Sequence, residues 1–247
     1  MSARMVVVAG GAGGIGKAIA LRFAQGGCDL HLLGRDEAKL AAASKELADA
    51  TGRKVTTARC DIGDAESIAK ALAPVAKIDV LVNAAGSIAR KPLLDTRPAD
   101  WRGAWSDKVL GAIEATRQAC ERMQSTGGGV VVNIMGTAGV RLNPKTIMTS
   151  TANAALIAFT QAAGSLSVDG HVRVVGINPG LTATPRTQDL AAGKGGDSYK
   201  AMLADMPFKR MAHASEIADC AWFLASEQAA YISGTVIDID AGAKWRG

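Results

Sequence analysis

A chain of 247 residues is long enough for one complete α/β domain and short for two. Its 48% hydrophobic and 21% charged residues match ordinary folded domains and exclude disorder. The net charge of +5 is scattered rather than blocked, which speaks against nucleic acid and fits an anionic cofactor or substrate.

The first apolar run, Met5–Ala9, predicts a buried strand, followed by Gly10-Gly11-Ala12-Gly13-Gly14-Ile15-Gly16 and a helix over Ile15–Gln25. Glycines between a first strand and a first helix allow a tight turn, and they let backbone N–H groups approach a pyrophosphate at the helix N-terminus. A second strand, Leu30–Leu33, ends at Gly34-Arg35. An acid there would accept the ribose hydroxyls of NAD(H); a small residue followed by a guanidinium suits a 2′-phosphate, so NADP(H) is expected ahead of NAD(H). Next come a helix over Glu37–Ala50, a strand over Val55–Arg59 leading into Cys60-Asp61-Ile62, and a helix over Ala65–Ala73. The strand Val80–Asn83 opens Asn83-Ala84-Ala85-Gly86, and a long helix covers Trp101–Gln124. Strand Val130–Ile134 runs into Met135-Gly136, and a helix covers Thr151–Ser167. Strand Val172–Ile177 leads to Asn178-Pro179-Gly180-Leu181-Thr182-Ala183-Thr184, and helix Ser215–Ser226 and strand Val236–Ile239 complete the series.

Such alternation predicts an α/β, doubly wound fold: a seven-stranded parallel sheet with helices on both faces, filling residues 1–247 as a single dinucleotide-binding domain. The long loop at about 182–207 is read as a lid over the binding site. Cys28, Cys60, Cys120 and Cys220 lack CxxC spacing and are expected as apolar thiols of a reducing compartment; no metal site is read. His31, His171 and His213 are expected to be structural. No apolar run has the length of a membrane span, and Met5–Ala9 is too short for a signal-peptide core. A cytoplasmic protein with no membrane partner is therefore expected.

Taken in order, these motifs resemble the classical subgroup of the short-chain dehydrogenase/reductase family, with Tyr231-Ile232-Ser233-Gly234 and Asp240-Ala241-Gly242 near the end similar to its C-terminal signature. The resemblance implies a Rossmann fold with Gly10, Gly14, Ile15 and Gly16 at the pyrophosphate and Arg35 at the 2′-phosphate. It implies Asp61 and Ile62 at the adenine, and Asn83, Ala84 and Gly86 beside the cofactor. Pro179, Gly180, Thr182 and Thr184 fall at the nicotinamide carboxamide. It also implies a homotetramer or homodimer acting on a small carbonyl or alcohol.

The same resemblance leads to an unusual active site. The family works with an asparagine, a serine and a Tyr-x-x-x-Lys pair; here those positions fall on Lys108, Gly136, Thr149 and Asn153. Lysine stands at the asparagine position and asparagine at the lysine position, so Lys108 is expected to reach toward Asn153 and Thr149, its Nζ within about 3 Å directly or through one water. Thr149 can orient a substrate but is too weak an acid to transfer a proton alone. Lys108 can be the acid or base if burial lowers its pKa, and Tyr199 on the lid is a second candidate. The substrate is expected to meet Met135, Arg141, Asn143 and Tyr199. Arg90, Lys91, Lys145 and Arg186 around the same mouth point to an anionic substrate, such as a carboxylate or coenzyme A thioester. Two functions follow: an NADP(H)-dependent oxidoreductase with an atypical site, or an NADP(H)-binding homologue without hydride transfer, acting as sensor, regulator or subunit partner.

Overall fold

The β-branched runs and the Ala-rich stretches between them fold as the strands of one sheet with helices between them. In the computed structural model, which describes residues 3–185, 187–188, 203–204 and 206–245, the first half comprises β1 (Met5–Ala9), α1 (Gly14–Gln25), β2 (Asp29–Gly34), α2 (Glu37–Thr51), β3 (Val55–Arg59), α3 (Ala65–Leu72) and β4 (Val80–Asn83). The second half comprises α4 (Pro98–Ala104), a π-helical segment (Trp105–Leu110), α5 (Gly111–Ser125), β5 (Gly129–Ile134), α6 (Ile147–Leu166), β6 (Val172–Pro179), β7 (Thr182–Ala183), β8 (Ala212–His213), α7 (Ala214–Leu224) and β9 (Val236–Ile239). Seven strands form one parallel sheet in the order β3-β2-β1-β4-β5-β6-β9.

Successive side chains of a strand point to opposite faces, and here both faces are buried. Val6 and Val8 join Ile19 and Phe23 of α1, Leu40 and Leu47 of α2, and Ile217 and Leu224 of α7. Val7 and Ala9 face the other way, onto Ile68 and Leu72 of α3 and Ala115, Ala119 and Met123 of α5. The strand order reverses between β1 and β4, so the crevice beyond their C-terminal ends is where such a sheet receives a ligand.

Three local features depart from expectation. The single helix over Trp101–Gln124 begins at Pro98, whose fixed φ suits a first helical turn, and is interrupted by the π-helical segment. Helix α6 starts at Ile147 rather than Thr151, because Asn143 caps a short 3₁₀ turn, Pro144–Thr146, that feeds straight into it. The early start puts Thr149 and Asn153 on the same helix. Strands β7 and β8 pair in parallel but have two residues each, too few to show a period in the sequence. Of the stretch 182–207 read as a lid, residues 186, 189–202 and 205 lie outside the described residues, and Tyr199 and Arg186 with them. Among the described residues, no helix is long and apolar enough to cross a membrane.

Candidate cofactor and active site

Between β1 and α1 the chain turns so sharply that only glycine fits. Gly10 has φ +82°, and a Cβ there would lie 2.9 Å from the Ala85 nitrogen; a Cβ on Gly16 would lie 2.2 Å from the Gly10 carbonyl oxygen. No side chain caps α1 at Gly13, so its first N–H groups face the crevice without a competing acceptor. An uncapped helix N-terminus behind a bare glycine turn has the shape and polarity for a pyrophosphate, so the residues present fit a dinucleotide.

Next to this turn lies a cavity of about 320 Å³ lined by Gly10, Gly34, Arg35, Asp36, Lys39, Ile62, Ala84, Gly86 and Asp107, among others. The Arg35 guanidinium lies 3.2 Å from the Asp107 carboxylate, and the Lys39 ammonium 3.3 Å from Asp36. Asp36 also accepts the Lys39 backbone N–H at the head of α2, which holds its carboxyl below the usual range. Asp36 and Lys39 were within reach of sequence reasoning, being neighbours of Arg35. Asp107 was not, because it comes to the cavity from the π-helical segment.

A second cavity of about 930 Å³ opens beyond the ends of β4, β5 and β6. Ile15, Gly86, Pro179, Gly180, Thr182 and Thr184 line it, as do Met135, Gly136, Lys108, Thr149 and Asn153. Thus the four residues that the family resemblance places at the reacting centre share one wall. Lys108 is 8% exposed, and its ammonium donates to the Ile134 carbonyl at the end of β5, 2.8 Å away. Burial without a carboxylate partner lowers its pKa to about 8. The expected contact from Lys108 to Asn153 or Thr149 is not made directly: the ammonium donates to the carbonyl at the strand end instead. Asn153 Oδ1 and Thr149 Oγ1 are buried and make no hydrogen bond. A Cβ on Gly136 would lie 3.2 Å from Asn153 Nδ2, so the Asn153 amide sits beside that glycine. Among the described residues, no Asp or Glu lines this cavity; its cations are Lys108 and Arg90.

Several residues singled out in the sequence stand apart from both cavities. Asn83 is buried and donates to the Ala112 carbonyl, Thr116 and Asn133, tying β4 to α5 and β5. Asp61 turns its carboxylate to the Gly63 N–H, leaving Cys60 and Ile62 to line the smaller cavity. Gly14 and Gly16 lie in the first turn of α1, where a Cβ on Gly14 would meet the Thr184 side chain at 2.7 Å. Arg141 donates to the Ala243 carbonyl, Asn143 caps the turn before α6, and Lys91 pairs with Asp100. Thr187 was not foreseen; its hydroxyl donates to the Thr182 carbonyl and steadies the cavity rim. His31 is buried between Thr56 and the Ala71 carbonyl, and burial lowers its pKa.

Comparison with known proteins sets this geometry in context. Residues 10–244 match the family model described as enoyl-(acyl carrier protein) reductase. A 3-oxoacyl-(acyl-carrier-protein) reductase of Chlamydia muridarum is 33% identical over 245 residues, covering 97% of this chain and 96% of that one. The L-sorbose reductase of Gluconobacter frateurii, solved with NADPH and L-sorbose, superposes with a TM-score of 0.93 at 28% identity, covering 100% of this chain and 98% of the other. An NAD⁺-bound xylitol dehydrogenase superposes with a TM-score of 0.89 at 25% identity, covering 97% and 98%. With the motifs in order, the crevice at the strand-order reversal and relatives matched along nearly their whole length, the chain belongs to the short-chain dehydrogenase/reductase family.

Proposed function

We propose that this protein is an NADP(H)-dependent oxidoreductase that reduces a small carbonyl compound, or oxidises the corresponding alcohol, with Lys108 as the proton-transferring group. The observation that carries this reading is the Lys108 ammonium, buried in the larger cavity without a carboxylate partner among the described residues, its pKa lowered to about 8. When bound, the cofactor supplies or accepts the hydride; Gly10, Gly14, Ile15 and Gly16 would hold its pyrophosphate, Arg35 its 2′-phosphate, and Pro179, Gly180, Thr182 and Thr184 its nicotinamide end. In the reductive direction the carbonyl carbon gains the hydride, and Lys108 gives a proton to the developing alkoxide, becoming a neutral amine that is reprotonated from solvent. An amine with a pKa near neutrality can move a proton either way. Thr149 and Asn153 line this cavity, and the unpartnered Thr149 Oγ1 and Asn153 Oδ1 support roles in orienting the substrate oxygen and the cofactor ribose. Gly136 brings no hydroxyl to the place where the family has its serine, and the Asn153 amide borders that place.

Arg90 and Lys108, with no carboxylate lining the cavity among the described residues, support an anionic substrate. The exposed side chains of Leu94, Trp105 and Leu110 support the homotetramer or homodimer that the family resemblance implies.

The test pairs NADPH binding, followed by fluorescence, with NADPH oxidation across 2-oxo acids, 3-oxoacyl thioesters and neutral ketones. Wild type should turn over an anionic carbonyl with kcat/KM falling above about pH 8. Lys108→Met should keep NADPH binding and lose at least about 100-fold in kcat. Tight NADPH binding with no turnover on any substrate would overturn the catalytic reading in favour of a sensor, regulator or subunit partner.

A further inference from the structure

The smaller cavity carries two cations and two carboxylates, and each cation already has a partner. Lys39 lies against Asp36 and Arg35 against Asp107. The pocket wall that would receive a 2′-phosphate is therefore close to neutral. A phosphate dianion gains from Arg35 only as far as Asp107 releases it, and it meets the Asp107 charge on the way. The two carboxylates differ in their commitments. Asp36 caps α2 through the Lys39 N–H, so its place is fixed by the helix. Among the contacts described for Asp107, its carboxylate holds Arg35 and stands beside Gly63, where a glycine Cβ would lie 3.1 Å from Asp107 Oδ1.

We infer that Asp107 is a specificity-determining residue for the cofactor: by holding Arg35, it keeps the affinity for the 2′-phosphate down while leaving the nucleotide without that phosphate unaffected. The inference rests on the reading that this chain binds NADP(H). Asp107 reaches the cavity from a segment 72 residues away from Arg35. Its side chain is 29% exposed and that of Arg35 65%, so the pair stands at the mouth, where exposed ion pairs add little to folding. Removing it should leave a folded protein.

The experiment measures dissociation constants of the full chain for NADPH and NADH by fluorescence titration, for wild type, Asp107→Asn and Arg35→Leu, at low and high salt. Asp107→Asn should tighten NADPH about five- to tenfold, with NADH unchanged within about twofold, and the gain should shrink in high salt. Arg35→Leu should weaken NADPH alone. Two results overturn the inference while the reading beneath it stands: Asp107→Asn weakens NADPH, which would make the carboxylate a support that aims Arg35 at the phosphate, or it leaves the NADPH-to-NADH ratio unmoved. Absence of NADPH binding by wild type overturns both.

Discussion

Lys108 is the residue on which chemistry and stability meet. Holding an ammonium in a cavity that offers it one carbonyl is costly, and the cost appears as a lowered pKa. The unfolded chain binds this proton more tightly than the folded one. Folding is therefore penalised below about pH 8, and the penalty is relieved as the pH rises toward the ordinary lysine pKa. Wild type should gain about 3 kcal/mol relative to Lys108→Met between pH 7 and the ordinary lysine range. Urea unfolding of both proteins across that range measures it, since titrations common to both cancel. A pH-independent difference would show that the ammonium is not held as described.

At the scale of elements, the site depends on how closely α6 approaches the sheet. Gly164 sits where a Cβ would lie 2.2 Å from the Gly234 nitrogen and 2.6 Å from the Val174 carbonyl oxygen, contacts that backbone cannot yield cheaply. Gly164→Ala should therefore lower stability by about 1–3 kcal/mol or more, despite alanine's better helix propensity, with thermal unfolding as the measurement. A neutral result would mean that α6 can slide, and with it Thr149 and Asn153. The legibility of the fold divides at this same scale. Strands β1, β3, β4 and β9 were readable to the residue: β1 and β4 as continuous buried apolar runs, and β3 and β9, the partly buried edge strands, from their β-branched residues and flanking turns. Helix α6 was read late because Thr149, Ser150 and Thr151 resemble a polar lead-in, and only the Asn143 cap reveals the earlier start. Lys108, Thr149 and Asn153 could be placed by counting from motifs. The Ile134 carbonyl that holds Lys108, and the approach of Asp107 to Arg35, are contacts across 26 and 72 residues that no local pattern encodes.

At the scale of the whole molecule, both cavities open along one edge of the sheet, at the C-terminal ends of β1, β4, β5 and β6, and Gly86 lines both of them. A dinucleotide lying across this edge would tie elements from both halves of the chain together. Ligand at about 100 times its dissociation constant stabilises the folded state by about 2.7 kcal/mol, which for a chain of this size is a rise in Tm of about 5–10 °C. NADPH should produce such a shift in differential scanning fluorimetry, and Arg35→Leu should reduce it. A shift of equal size in Arg35→Leu would show that Arg35 does not read the phosphate.

The π-helical segment between α4 and α5 has a consequence of its own. Compared with an α-helix, a π turn winds in one extra residue, so positions on either side of it are out of phase by about 100°. A helical wheel drawn continuously from Pro98 to Ser125 therefore assigns one half of the helix to the wrong face. Asp107 and Lys108 are chain neighbours, yet one carboxylate lines the smaller cavity while the adjacent ammonium lines the larger. In this stretch the number of residues, as much as their identity, decides which side chain meets which ligand. A one-residue deletion between Trp105 and Leu110 would re-index the wall shared by both cavities, a change that no single substitution there can reproduce.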